Sequence, residues 1–183
     1  AYVADGDSGL RVLDISDPSA PDEVGFYDTP GHAQSIVRLG SYVYIADGYG
    51  GLRIVDISNL AAPSETGFYD TPGYAQGVTV AGNYAYIADR SEGLRIVDVS
   101  SPTNPAEAAF YVMAREARRV AVAGGYIYVA AADGGVFVLR FLPYSVCLPL
   151  VLRNSPSPGR TEMNACIRPI TCSILPDRPR RPR

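Results

Sequence analysis

Short hydrophobic runs along this chain place apolar side chains on both faces of an extended strand. In the segment LRIVDI at residues 52–57, Leu52 and Ile54 lie on one face of a period-2 strand and Val55 lies on the other. Apolar residues on both faces predict a sheet that is packed on both sides. No segment has the sustained period of about 3.6 residues that marks an amphipathic helix, so the pattern predicts an all-β protein.

The hydrophobic pattern repeats every 42 residues. The segment GLRIVDIS at 51–58 has near-copies at 9–16 and 93–100. Identical residues recur in the same register: Tyr2, Tyr44, Tyr86 and Tyr128; Gly9, Gly51, Gly93 and Gly135; Asp14, Asp56 and Asp98. Within one period, extended runs bounded by Gly, Asp, Ser or Pro predict four strands, at 75–82, 84–90, 94–100 and 106–113. Four antiparallel strands in about 40–45 residues are typical of one β-propeller blade.

The number of predicted strands is too small for a closed ring. The blades lie at about 1–29, 33–71, 75–113 and 117–141, with three strands in the first and last blades and four in each inner blade. The first blade lacks its innermost strand and the fourth lacks its outermost, so the two ends duplicate each other instead of completing one blade. The sequence therefore predicts about three and a half blades in an open, incomplete propeller. A flat all-β sandwich is the alternative, although it would not need so strict a repeat.

Charge is distributed unevenly along the chain. Residues 1–141 contain nine Arg and 17 acidic residues, whereas residues 142–183 contain seven Arg, two acidic residues and eight Pro. An acidic body argues against nucleic acid as a partner, and the Pro/Arg-rich tail is predicted to be mostly disordered. No run approaches the roughly 20 apolar residues of a membrane-spanning helix, so no transmembrane segment is expected. The opening AYVADG matches VYIADG at 43–48 in mid-repeat, which indicates that the natural N-terminus lies upstream.

The segments GLRVLDIS, GLRIVDIS and GLRIVDVS resemble the LVIVD repeat family, which is named for its Leu-x-Ile-Val-Asp core. The resemblance covers about residues 1–141 and recurs in register. It implies a propeller fold and an exported bacterial protein, located outside the cell or at its surface. The fourth copy, GVFVLRF at 135–141, departs from the pattern because Arg140 stands where the other copies have Asp.

One end of the blades is the predicted ligand face. In an up-and-down blade alternate loops emerge on the same side, so the loops 28–33, 70–75 and 112–117 are expected beside 4–9, 46–51 and 88–93. These loops carry the candidate ligand-binding residues Asp28, His32, Gln34, Tyr49, Tyr74, Gln76, Arg90, Glu92, Arg115, Glu116 and Arg118. Loops on a rigid sheet scaffold commonly carry function. The ligand is expected to be a protein or a carbohydrate, which the sequence does not distinguish.

The sequence contains no nucleophile motif, phosphate-binding loop or paired cysteine ligand set. His32 is the only histidine, and a catalytic or metal-binding role would need converging partners, so it is interpreted as a loop or blade-edge residue. The segment DGDSG at 5–9 resembles a calcium loop. However, a loop of about twelve residues counted from Asp5 would end at Ser16 instead of Glu, which favours a polar turn over a weak cation site. No catalytic residue, metal or cofactor is expected.

A small basic cluster lies at the start of the fourth repeat. Arg115, Arg118 and Arg119 stand in an otherwise acidic body. They are interpreted as a solvated edge or as inter-blade salt bridges, with an anion site as the alternative.

Two hypotheses about function follow. The first is a non-catalytic binding or scaffold module of an exported, surface-associated bacterial repeat protein, of which this chain is a fragment. The alternative is part of a propeller enzyme, a hydrolase or lyase, whose active residues lie in blades outside this chain. The lack of a convergent catalytic set favours the first, so the chain is not expected to be an enzyme. Open blade edges also predict self-association.

Overall fold

Strands and tight turns make up the part of the protein that the structure describes. The structure is a computed structural model that describes residues 1–141. The first seven strands are β1 (Tyr2–Ala4), β2 (Leu10–Asp14), β3 (Asp22–Tyr27), β4 (Ser35–Leu39), β5 (Tyr42–Ala46), β6 (Leu52–Asp56) and β7 (Ser64–Tyr69). The other seven are β8 (Gly77–Ala81), β9 (Tyr84–Ala88), β10 (Leu94–Asp98), β11 (Ala106–Tyr111), β12 (Ala117–Ala123), β13 (Tyr126–Ala131) and β14 (Gly135–Leu139).

These strands form four antiparallel sheets, which we call blades 1 to 4 in chain order. Their strand orders are β1-β2-β3, β4-β5-β6-β7, β8-β9-β10-β11 and β12-β13-β14. The three-stranded sheets stand at the two ends, so the structure confirms the predicted number and division of strands. Within residues 1–141 there is no helix that is long and apolar enough to cross a membrane.

Consecutive blades pack face to face, and we call each of these contacts a seam. In β5, Val43 and Ile45 pack toward blade 1, where they meet Leu10. Tyr44 and Ala46 of the same strand pack toward blade 3. Because successive side chains of a strand point to opposite faces, one strand supplies two seams. The prediction of a sheet buried on both sides is therefore confirmed.

The four blades form an open arc. The buried apolar residues among residues 1–141 fall into three clusters, one for each seam, and none of them joins blade 1 to blade 4. Each blade thus depends on its immediate neighbours, as in other repeat proteins. The predicted disordered tail at 142–183 lies outside the described residues.

Glycine shapes the turn that follows the repeated Ala-Asp. The glycines at equivalent positions have positive φ: 71° at Gly9, 71° at Gly51, 82° at Gly93 and 74° at Gly135. A Cβ atom on Gly51 would lie 2.4 Å from the carbonyl oxygen of Tyr69. Both the left-handed backbone and the close approach therefore require glycine at this position.

Aspartate shapes the turn that follows the repeated Leu-x-Ile-Val. One carboxylate oxygen accepts the N–H of the residue two positions later: Ser16 to Asp14 at 2.8 Å, Ser58 to Asp56 at 2.7 Å and Ser100 to Asp98 at 2.9 Å. These are the backbone bonds expected of a short carboxylate in a turn. Hydrogen bonds from Ser16 and Ser58 lower the pKa of Asp14 and of Asp56, because they stabilise the charged form.

Candidate functional site

Adjacent blades are joined at the predicted ligand face by short backbone bridges. At each seam two residues exchange both N–H···O=C bonds, at 2.9–3.1 Å: Gly6 with Ala33, Gly48 with Ala75, and Arg90 with Ala117. These bonds join a loop within one blade to the segment that leads into the next blade. Gly6, for example, lies between β1 and β2, and Ala33 lies between β3 and β4. We call the surface formed by both sets of loops the loop face. The loops meet as the up-and-down connections predict.

A buried carboxylate lies beneath the loop face at the seam between blades 1 and 2. Asp47 has no exposed surface. Its Oδ1 atom accepts a hydrogen bond from Thr29 Oγ1 at 2.5 Å, and its Oδ2 atom accepts the Gly31 N–H at 2.7 Å. Thr29 and Gly31 belong to the segment that links the two blades, so we call this arrangement the Thr–Asp clip. It fixes the linker onto the next blade.

The same clip recurs at the seam between blades 2 and 3. Thr71 Oγ1 donates to Asp89 Oδ1 at 2.7 Å, and the Gly73 N–H donates to Asp89 Oδ2 at 2.9 Å. Asp89 is also fully buried. Equivalent residues, 42 positions apart, make the same hydrogen bonds in the two clips. The repeat in the sequence is therefore also a repeat of side-chain interactions.

An arginine accompanies each buried carboxylate. Arg53 Nε lies 4.0 Å from Asp47 Oδ2, and Arg95 Nε lies 3.7 Å from Asp89 Oδ2. Burial raises the pKa of Asp47 and of Asp89, because desolvation outweighs the hydrogen bonds and the arginine charge that favour the ionised form. The carboxylate of each clip therefore stabilises the contact between two blades and lies beneath the surface that a ligand could reach.

The fourth repeat replaces the Thr and the Asp of the clip with apolar residues. Met113 stands where Thr29 and Thr71 donate, and Ala131 stands where their aspartates accept. Both side chains are buried in the cluster between blades 3 and 4. The clip was not predicted from the sequence. Its signal is the concerted loss, in the fourth repeat, of a Thr and an Asp that both recur at 42-residue spacing in the other repeats.

The most prominent exposed cluster lies on the loop face at the seam between blades 2 and 3. Tyr49 is 82% exposed, and its ring meets the ring of Tyr74 edge to face with centroids 4.9 Å apart. The Arg90 guanidinium lies over the Tyr74 ring, 4.1 Å from its centroid. Gln76 Oε1 accepts a hydrogen bond from Arg90 Nε at 3.1 Å. Four of the predicted ligand-face residues thus form one cluster, which we call the Tyr–Arg cluster.

Arg90 has an unusual backbone conformation. Its φ is 44°, and among residues 1–141 it is the single non-glycine residue with positive φ. The equivalent positions in the first two repeats are Gly6 and Gly48, with φ of 56° and 59°. A side chain in this conformation costs roughly 1–2 kcal/mol relative to glycine. The third repeat therefore carries a backbone strain that places an arginine on the loop face.

Two other predicted residues meet at the seam between blades 1 and 2. His32 Nδ1 and Gln34 Nε2 are in close hydrogen-bonding contact. His32 Nε2 lies 3.8 Å from Asp7 Oδ1. The imidazole packs over Gly6, whose Cβ position would be 3.0 Å from His32 Cε1. His32 is therefore a partly exposed residue of the loop face, held by its own loop and by the neighbouring turn.

The remaining predicted residues take part in separate ion pairs and packing contacts. Arg118 lies 3.8 Å from Glu116, and both side chains are about half exposed. Asp28 and Glu92 each pair with an arginine inside their own blade, at 3.2 Å from Arg11 and Arg95 respectively. Arg115 packs beside Gly134. The structure thus divides the predicted ligand-face residues among three seams, with the densest group at Tyr49, Tyr74, Gln76 and Arg90.

The DGDSG segment at 5–9 forms a polar turn. The Asp5 N–H donates to the Gly9 carbonyl at 2.8 Å, and the Ser8 N–H donates to the Asp5 carbonyl at 2.9 Å. The Asp5 carboxylate lies 3.9 Å from Arg11 Nε. Over residues 1–141, no three His, Cys, Asp or Glu side chains are grouped so that they could hold a metal ion.

Four stacked antiparallel sheets of three or four strands, repeated every 42 residues, define a repeat protein of the propeller type. The LVIVD repeat model matches the chain four times, at residues 1–29, 30–71, 72–112 and 114–139. The protein belongs to the LVIVD repeat family. No curated protein sequence matches it.

Solved structures with a similar fold include two computationally designed proteins. The Ika8 protein, in a P63 crystal packing, matches with a TM-score of 0.62 and 10% identity, over 76% of this chain and 42% of that chain. The Ika4 protein matches with a TM-score of 0.58 and 14% identity, over 76% of this chain and 82% of that chain. The chain therefore spans less than half the length of Ika8. At these identities the likeness concerns the fold alone.

Proposed function

We propose that this chain is a non-catalytic binding module of an exported, surface-associated bacterial repeat protein, and that it binds its ligand at the Tyr–Arg cluster. The carrying observation is Arg90, which keeps a strained φ of 44° at a position where the first two repeats have glycine. Backbone strain concentrates at functional sites, because a fold retains it only where something offsets the cost. The exported location rests on the family resemblance.

The Tyr–Arg cluster combines an aromatic surface with hydrogen-bond donors. Tyr49 is mostly exposed, and its ring contacts the Tyr74 ring edge to face. Arg90 Nε donates to Gln76, and the terminal guanidinium nitrogens carry further N–H donors. Tyrosine and arginine provide large contact areas at low entropic cost and are enriched at binding surfaces.

A carbohydrate is the ligand class that suits this cluster best. The C–H face of a sugar ring can stack on the exposed Tyr49 ring, and sugar hydroxyl or carboxylate oxygens can accept hydrogen bonds from Arg90. The 82% exposure of Tyr49 suits a ligand that lies across the loop face instead of entering a deep pocket. A protein segment is the competing ligand class.

The proposal is tested by binding of the full chain to immobilised neutral and uronic-acid-containing polysaccharides. Arg90→Gly and Tyr49→Ala should each weaken binding about tenfold or more, which corresponds to about 1.4 kcal/mol. Arg90→Gly introduces the residue of the first two repeats, so the melting temperature of this variant should equal or exceed that of the wild type. Leu60→Ala, at an exposed turn on the opposite end of the blade, is the control and should bind as the wild type does.

Three results would contradict this proposal. Unchanged binding by both cluster variants would place the site elsewhere. The absence of wild-type binding to every polysaccharide would exclude the carbohydrate class. Release of new reducing ends from a bound polysaccharide would favour the hydrolase or lyase alternative.

A further inference from the structure

Each of the first three blades contains an arginine that is surrounded by carboxylates. These arginines stand at equivalent positions of β2, β6 and β10 and are Arg11, Arg53 and Arg95. In β10 the partners lie at 3.2–3.7 Å and are Asp89, Glu92 and Glu107. The arginines of β2 and β6 each pair with three carboxylates in the same way, at 2.9–4.0 Å. The charge of each arginine is therefore compensated inside its own blade.

The charge of Arg90 is not compensated in this way. Among residues 1–141, no carboxylate forms an ion pair with it. Its two side-chain contacts are the Gln76 amide oxygen, at 3.1 Å from Nε, and the face of the Tyr74 ring. Both partners are uncharged, so they orient the guanidinium and leave its positive charge without a counter-ion. This stands out in a body of nine Arg and 17 acidic residues.

From this contrast we infer that the ligand is an acidic carbohydrate, built from uronic acid units, and that Arg90 selects it by binding a sugar carboxylate. The inference rests on the proposed carbohydrate site at the Tyr–Arg cluster. A guanidinium presents parallel N–H donors that match the two oxygens of a carboxylate, and this fork is why arginine is favoured over lysine for such groups. A uronic acid can place its ring on Tyr49 and its carboxylate on Arg90.

Gln76 is the residue that positions Arg90 without neutralising it. Its amide oxygen accepts the Nε–H of Arg90, so a carboxylate in the same place would form an internal ion pair. The equivalent residues at the other two seams are Gln34 and Arg118, so this position carries no acidic residue at any seam. A single change from amide to carboxylate at Gln76 would therefore give Arg90 the kind of partner that the other blade arginines have.

The inference is tested by isothermal titration calorimetry of the full chain at neutral pH. The probes are trisaccharides of galacturonic, mannuronic and guluronic acid, each paired with its methyl ester, which removes the charge and keeps the sugar ring. The wild type should bind at least one acid about fivefold or more tighter than its ester. Tyr49→Ala should weaken binding of that acid and its ester alike, because stacking on the ring does not depend on the carboxylate charge.

Two variants remove the selectivity by different routes. Gln76→Glu is nearly isosteric and supplies an internal carboxylate, so it should weaken binding of the acid about fivefold or more and leave binding of the ester nearly unchanged. Arg90→Gln removes the positive charge, so acid and ester should then bind with similar affinity. Because only Gln76→Glu keeps the arginine, agreement between the two variants assigns the selectivity to the free charge of Arg90.

Matched controls remove a positive charge from the same loop face at the seam between blades 3 and 4. Arg118→Gln removes an arginine that already has a carboxylate partner, Glu116 at 3.8 Å. Arg115→Gln removes an arginine that packs beside Gly134. Both variants should keep the wild-type ratio of acid to ester affinity. Circular dichroism establishes that each variant is folded, and Gln76→Glu alone carries the test if Arg90→Gln is not.

Equal binding of acids and esters by the wild type, with both weakened by Tyr49→Ala, would overturn this inference and leave the proposed binding site standing. A preference for the acid that survives in folded Gln76→Glu, or that is lost in Arg115→Gln instead, would also overturn it. If no acid binds, the inference is wrong, and binding of neutral polysaccharides then decides separately whether the Tyr–Arg cluster is a carbohydrate site.

Discussion

At the scale of single residues, the Thr–Asp clip shows how a buried carboxylate can join two blades. Asp89 is fully buried, yet it accepts hydrogen bonds from Thr71 and Gly73 and has Arg95 beside it. A buried charge is tolerated when it is paired and hydrogen-bonded. The fourth repeat shows the other solution, because Met113 and a small alanine fill the equivalent space without polar groups. The seam thus accepts either a hydrogen-bonded Thr–Asp pair or an apolar Met–Ala pair.

The first prediction follows from this alternative. Asp89→Ala leaves the Thr71 hydroxyl and the Gly73 N–H without acceptors and should lower the free energy of unfolding by about 3 kcal/mol. Adding Thr71→Met, the residue of the fourth repeat, should recover about 1 kcal/mol, because the unsatisfied hydroxyl is replaced by apolar volume. Urea denaturation of the wild type, both single variants and the double variant completes the cycle. Additive losses would contradict the coupling.

At the scale of elements, the first three repeats each have a turn in which the backbone approaches another strand very closely. Gly51 has φ of 71°, and a Cβ there would meet the Tyr69 carbonyl at 2.4 Å and the Thr71 nitrogen at 2.6 Å. Gly82, at the tip of the β8–β9 hairpin, has a similar φ of 58° but nothing within 4 Å of a Cβ. The two glycines share a backbone conformation and differ in their surroundings.

This pair gives a matched test of close approach. Gly82→Ala should lower the free energy of unfolding by about 1 kcal/mol, the cost of a left-handed conformation for a non-glycine residue. Gly51→Ala should cost at least about 1 kcal/mol more, because the backbone of β7 and its following loop must shift to admit the methyl group. Thermal or urea unfolding of the wild type and the two variants measures both losses in the free energy of unfolding. Equal losses would mean that the turn relaxes without strain.

At the scale of the whole molecule, the blades form a one-dimensional stack. Blades 2 and 3 each have a neighbour on both sides, whereas blades 1 and 4 have one each within the described structure. The stability of such a stack is approximately the sum of blade and seam contributions. The end blades should therefore open more readily than the inner ones.

Hydrogen exchange of the protein should reveal this gradient. Backbone amides of β5, β6, β9 and β10 should exchange most slowly, and those of β1 and β14 most rapidly, because the end strands lose protection without unfolding the inner blades. Uniform protection over residues 1–141 would contradict the stack and indicate a single cooperative unit.

Much of the architecture is determined locally, and the sequence by itself was sufficient to predict it. The strands, the 42-residue period and the three-stranded end blades follow from period-2 alternation and from glycine, aspartate and proline in the turns. The Asp56 turn, for example, forms with Ser58 only two residues away. Such features depend on neighbouring residues, so the sequence contains all the information that they need.

The tertiary structure alone decided which side chains meet across the seams. Thr71 contacts Asp89, 18 residues along the chain, and Tyr49, Tyr74 and Arg90 come together from three loops. The sequence predicted that all three lie on one face, but it did not predict that they contact one another. The 42-residue repeat shows which positions in different blades are equivalent, and it does not show which side chains of neighbouring blades meet. Their distances depend on how far each blade is rotated and shifted against the next. That rotation is set by the packing of apolar side chains such as Leu52 and Ile87 in the seam, which no local pattern specifies.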